Sequence, residues 1–154
     1  KAFEFHTDYK KPSPFTFGKG KAGTGAGKNL QVSLSGLQTI SFKYNEDKGN
    51  YSKYNGYLTG GEEHKTKAGI TLTASNIFVL YDKKYRENEK TIGFDLESGT
   101  GLLVSEGTSR PIRWSRTKDG LRFTEDDGTQ LKIKAGKPYI CLTDQSYSSK
   151  TIVS

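Results

Sequence analysis

Methionine is missing from this chain altogether, and cysteine and tryptophan occur once each. With Cys141 as the single cysteine, no disulfide can form within the chain, which excludes a cross-linked miniature scaffold. The two histidines, His6 and His64, fit neither an H-x-x-x-H nor a C-x-x-C ligand spacing, so no metal site and no cofactor is expected. His6 near Asp8, and His64 beside Glu62 and Glu63, read as surface residues. No apolar run approaches the ~20 residues that span a bilayer, and no signal peptide is present. A chain that lacks even an initial methionine is expected to be a processed product or an excised piece, with its targeting segment upstream.

Hydrophobic residues make up only 32% of the chain and mean hydropathy is −0.73, which predicts a thin core and a wet surface. Aromatics are plentiful at 12%, which argues against disorder. The 18 glycines fit a chain of many turns, and 154 residues fit one domain. Net charge is +7, from 24 basic and 17 acidic residues. The bases are scattered among acids, so the surplus favours anionic partners without marking a nucleic-acid site, and no nucleic acid is expected.

The chain is organised around Gly99 to Leu142, which reads as five short strands. Ile112, Trp114 and Arg116 alternate with Arg113 and Ser115, the period-2 pattern of a half-buried strand. Asp119-Gly120 and Asp127-Gly128 supply tight turns. Leu121 with Phe123, and Leu131 with Ile133, predict a hairpin across Asp127-Gly128. Gly136-Lys137 turns the chain into Pro138–Leu142. Trp114 and Phe123 are expected to be buried, with Phe94 or Val79 nearby.

Upstream, strands are predicted over Leu30–Leu34, Thr39–Tyr44 and Tyr51–Tyr54, with a turn at Asn55-Gly56. Tyr57–Ala68 reads as a polar loop. Ile70, Leu72 and Ala74 alternate, and Ile77–Tyr81 is apolar throughout, as in a central strand covered on both faces. Asp82–Lys90 is a charged excursion with room for one helical turn, after which Ile92, Phe94 and Leu96 alternate. The glycine-rich run Gly18–Lys28 contains G-x-G-x-x-G, but strand periodicity follows it where a dinucleotide fingerprint requires a helix. The phosphate-loop pattern fails at Ala22 and Asn29, so a mobile surface loop that binds no nucleotide is predicted. These readings give an all-β fold, an antiparallel sandwich or open barrel of many short strands with long polar loops.

A resemblance accompanies this pattern. The run G-x-G, Gly107, P-I-R-W-S-R, F-T-x-x-D-G and a closing G-K-P-Y-I-C-L, preceded by F-K-Y-N-x-x-x-G-N-Y-S-K-Y-N-G and A-S-N-I-F-V-L, resembles the C-terminal domain of the YerB-type bacterial lipoproteins. It spans Phe3 to Leu142. It implies a single domain over residues 1–142, with 143–154 as a Ser/Thr-rich tail expected to fray. It also implies an extracytoplasmic envelope protein of unassigned activity, anchored through a missing N-terminal segment bearing a lipid.

The candidate chemistry is sparse. Cys141, within an apolar strand, reads as a packed thiol rather than a nucleophile. Glu125, Asp126 and Asp127 read as a polar hairpin tip. Arg110, Arg113 and Arg116 near Trp114, with Tyr54 and Tyr57, form the candidate surface for an anionic partner, since arginine and aromatics recognise anions together. The resulting expectation is a non-enzymatic binding or scaffold domain whose partner is an anionic envelope polymer or an acidic protein. The alternative is part of a cell-wall-acting enzyme whose chemistry lies in, or with, a missing N-terminal domain.

Overall fold

The computed structural model describes residues 13–57 and 61–154. The first strands are β1 (Thr16–Phe17), β2 (Gly25–Ala26), β3 (Asn29–Ser33), β4 (Gln38–Asn45) and β5 (Asn50–Tyr57). They are followed by β6 (Glu62–Glu63), β7 (Thr73–Ala74), β8 (Asn76–Asp82), β9 (Lys84–Arg86) and β10 (Ile92–Phe94). The last are β11 (Ser98–Ser105), β12 (Thr108–Thr117), β13 (Gly120–Glu125), β14 (Lys132–Ile133), β15 (Pro138–Asp144) and, beyond a 3-10 helix at Gln145–Lys150, β16 (Ile152–Val153). A central sheet runs β13-β12-β11-β8-β15, with β2 against β12; a second runs β16-β3-β4-β5-β6, with β7 against β5. Two further pairs, β1–β14 and β9–β10, stand apart.

The apolar run of β8 lies at the centre, as its composition requires. Ile77, Phe78, Val79 and Leu80 are all buried because each face of the strand is covered. Ile77 and Val79 meet Leu30, Val32, Ile40, Phe42 and Tyr51 of the second sheet, which makes the two sheets a sandwich. Phe78 and Leu80 point the other way into a second core with Leu103, Ile112, Trp114 and Phe123. Among the described residues no full sheet lies over that outer core. It is closed by Phe15, Leu131 and Ile133, carried on the short parallel pair β1–β14. Trp114 and Phe123 are buried as expected, but beside Phe78 and Leu80. Val79 belongs to the opposite face by strand alternation, and Phe94 lies in the separate β9–β10 pair.

Several local expectations are corrected. The sheets are not wholly antiparallel: β15 lies parallel to β8, and β1 parallel to β14. Asn55-Gly56 is no turn, because both residues pair inside the β4–β5 hairpin. Ile70 is exposed and only Thr73–Ala74 joins the sheet; Glu62–Glu63, placed in a loop, pairs with Tyr54–Asn55. The charged excursion forms the β9–β10 hairpin instead of a helical turn. Across Asp127-Gly128 the hairpin closes only through a bridge between Thr124 and Gln130, after which β14 leaves to pair with β1. The tail does not fray. Thr143 and Asp144 complete β15, Asp144 caps the 3-10 helix by accepting from Ser146 N at 2.7 Å, and β16 pairs with β3.

The glycine run is also tied down. It joins β1 to β3 and no helix follows it. Midway, Gly25 and Ala26 pair with Ser109 and Thr108. A Cβ at Gly20 would overlap the carbonyl of Lys132, and one at Gly27 the backbone of Thr108. Glycine is needed here for close backbone approach, a reason unrelated to phosphate.

Candidate functional site

Between the glycine run and β14 lies a recess of about 550 Å³ on the outer face of the central sheet. Its floor is Leu103 and Ile133, and its walls carry Lys19, Lys21, Lys132, Lys134 and Arg110 against the carboxylate of Glu106. Strand alternation explains the β14 wall: Ile133 is buried in the outer core, which turns Lys132 and Lys134 outward. The opposite wall is pinned by Gly18 N–H donating to Ile133 O at 2.9 Å.

Arg110 is the hub beneath this recess rather than a free surface cation. Its Nε donates to Glu125 at 3.1 Å, and both side chains are nearly buried. Its other nitrogens donate to the carbonyl of Lys21 and, at 3.1 Å, to that of Lys132. One guanidinium therefore holds both walls, using the forked geometry a lysine lacks. Glu125 is thereby corrected from hairpin tip to buried ion-pair partner. Lys21 reaches across to Asp127 at 2.6 Å. That hydrogen bond, with two more from Thr129, holds the Asp127 carboxyl well below the usual carboxylate range, and the same contact raises Lys21. Lys134 pairs with Glu106 at 3.3 Å, while Lys19 and Lys132 make no ion pair among the described residues.

The expected site residues are not brought together. Arg113 projects from the other face of β12 and pairs with Asp126 at 3.1 Å; Arg116, at the strand end, pairs with Glu97 at 3.1 Å. Tyr54 belongs to the second sheet, where Lys43 Nζ sits 5.1 Å from its ring centroid. The side chain of Tyr57 lies outside the described residues. The lysines of the recess carried a faint signal: G-K-G-K and K-I-K both repeat lysine at spacing two. Only the fold brings the two repeats face to face.

A second polar cluster lies at the inner core. Lys53, on β5 opposite Phe42, is 3% exposed, and its ammonium donates to Asn55 Oδ1 and, at 2.8 Å, to His64 Nδ1. The ring of Tyr139 is 5.8 Å away. Burial pushes Lys53 down. Burial also pushes the Cys141 thiol up to about 12, against the opposing effect of the Lys53 charge. A nucleophilic cysteine requires the reverse. His64 is occupied by Lys53, and His6 lies outside the described residues.

No curated protein matches this chain. Among solved structures, the crystal structure of the YerB protein from Bacillus subtilis is similar, with a TM-score of 0.69 over 91% of this chain and 20% sequence identity. The chain covers 46% of that protein, so it spans about half its length, and at this identity the likeness shows the fold. Residues 30–140 match the C-terminal domain of the family described as protein of unknown function (DUF3048), and the chain belongs to that family.

Proposed function

We propose that this is a non-enzymatic binding domain of a bacterial protein held outside the cytoplasm by an upstream lipid-bearing segment, and that its outer-face recess takes a segment of an anionic envelope polymer. The observation that carries the reading is the convergence of four lysines and Arg110 on one apolar-floored recess. Of these, Lys19 and Lys132 make no ion pair among the described residues, so they set the sign of the field inside the recess. A recess suits a thin chain of repeating charged units better than the broad surface of a folded acidic protein, so the polymer is preferred. The net charge of +7 draws polyanions to the domain as a whole. The extracytoplasmic setting rests on the resemblance to YerB-type lipoproteins. A protonated, buried Cys141 and an engaged His64 give the enzymatic alternative no support.

The test is retention of the purified domain on cell-wall preparations with and without their anionic polymers. Retention is expected to require the polymers and to be lost in Lys19→Gln/Lys132→Gln, while Arg116→Gln keeps it. Retention that ignores polymer removal, or that follows Arg116, would refute the reading.

A further inference from the structure

The inner face of the central sheet is apolar only where the second sheet covers it. Ile77, Val79 and Val104 are buried there. The same face continues along the strands through Thr100, Arg113 and Thr124, which lie opposite one another in register, and through Ser98 and Ser115. Beyond the cover these side chains meet a recess of about 750 Å³, bounded by Asp82 and Lys83 at the end of β8, by Asp95 and Glu97, and by Gln145 of the 3-10 helix. A recess of this size is typical of small-ligand sites.

Its rim is built at the expense of backbone strain. Asp82 is only 4% exposed, and its two carboxylate oxygens accept the N–H groups of Lys83 and Leu96, each at 2.8 Å. Leu96 is thereby held at φ 55°, in the left-handed region that a leucine avoids. The charges are largely spoken for: Glu97 pairs with Arg116 and Arg113 with Asp126.

We infer that this recess binds an uncharged oligosaccharide. Sugar hydroxyls donate to the carboxylate of Asp95 on the exposed rim. Ring and hydroxyl oxygens accept from Lys83, Arg113, Ser115 and Thr124, whose mixed donors and acceptors match a polyol better than any single charge. The half-buried Tyr81 adds an aromatic surface at the edge. Asp95 and Glu97 here balance Lys83 and Arg113, so this recess lacks the cationic surplus of the basic recess on the opposite face, and the two select different chemistry. The inference does not depend on the reading proposed for the basic recess.

The experiment is an NMR titration of the isotope-labelled chain with chitotetraose and, separately, cellotetraose, repeated at about 0.15 M and about 0.5 M salt to screen charge effects. Either sugar is expected to shift the amides of Thr100, Ser115, Thr124 and Gln145, with an affinity that salt leaves unchanged. Thr100→Trp fills the recess from an exposed strand position where an aromatic is well accommodated. It should lower affinity at least about tenfold without lowering the melting temperature. Asp95→Ala, on the exposed rim, should weaken binding several-fold, and it carries the test if the tryptophan variant unfolds. No shift with either sugar up to about 10 mM, shifts centred on Lys132 and Lys134, or undiminished affinity in the folded variants would overturn the inference.

Discussion

The central sheet is closed by two unlike covers. On its inner face a regular sheet, β3 to β5, packs strand against strand, and the covering residues Val32, Ile40 and Phe42 come from a continuous stretch of chain. On its outer face the cover is Phe15 with Leu131 and Ile133, drawn from segments distant in sequence and joined by a two-residue parallel pair. The regular cover excludes water and leaves a polar recess only where it ends. The irregular cover needs the Arg110–Glu125 pair to hold it, and it leaves a recess among its own lysines. Regularity serves stability here: the inner face keeps a recess only past the end of its cover, whereas the outer face carries one within its cover.

The sharpest way to break this comparison is to truncate both cores. Trp114→Ala on the outer face and Phe42→Ala on the inner face should each destabilise by ~3–5 kcal/mol in urea unfolding. An outer-face variant that unfolds like the parent would mean that the irregular cover contributes nothing to the fold. Next, Glu125→Ala leaves Arg110 buried without its partner and should destabilise by about 3 kcal/mol. Replacing both by apolar residues, as in Arg110→Met/Glu125→Leu, should recover most of that loss while opening the recess. A double variant as unstable as the single one would show that packing, not charge, holds the cover.

Alkaline pH should strain the inner face. Tyr51 and Cys141 are both pushed up to about 12, from ordinary values of 10.0 and 9.0. Below about pH 9 the folded and unfolded chains both keep these protons. From there to about 12 only the folded chain keeps them, so stability falls as pH rises. Lys53 acts oppositely: lowered by burial, it favours folding increasingly as pH climbs toward its ordinary 10.5. Melting temperatures are therefore expected to fall above about pH 9, less steeply in Cys141→Ala than in the parent. An identical fall in both would remove Cys141 from the account. The smallest effects belong to the exposed Arg113–Asp126 and Arg116–Glu97 pairs, where replacing either arginine by Gln should change stability by no more than about 1 kcal/mol.

How far the sequence could be read follows the same division. β8, β11 and β12 announced themselves, because continuous or alternating apolar residues over several positions leave few choices of face. Trp114 was recognisable as an anchor for that reason. The alternation of Leu131 and Ile133 marks a strand, but nothing local shows that β14 leaves the hairpin to pair with β1, so the outer cover and its recess stay hidden in the sequence. Arginines near a tryptophan suggested a binding surface, yet nothing in the sequence reveals that Arg110 turns inward to Glu125, fifteen residues away across a hairpin. No helix follows the glycine run, so it lacks the setting of a phosphate loop, and its need for glycine comes from Thr108 and Lys132, which only tertiary structure brings near. The Ser/Thr composition of the tail hides a strand partner in β3.

The central claim is that the basic recess of the outer face receives a polyanion. Its most direct test is the dissociation constant for a short polyphosphate, measured across a salt series with the parent and with Lys19→Gln/Lys132→Gln. If three or four basic groups are engaged, affinity should fall on the order of 20- to 50-fold between about 50 and 200 mM salt, with a shallower slope in the variant. A flat salt response, or an unchanged slope in the variant, would contradict the claim.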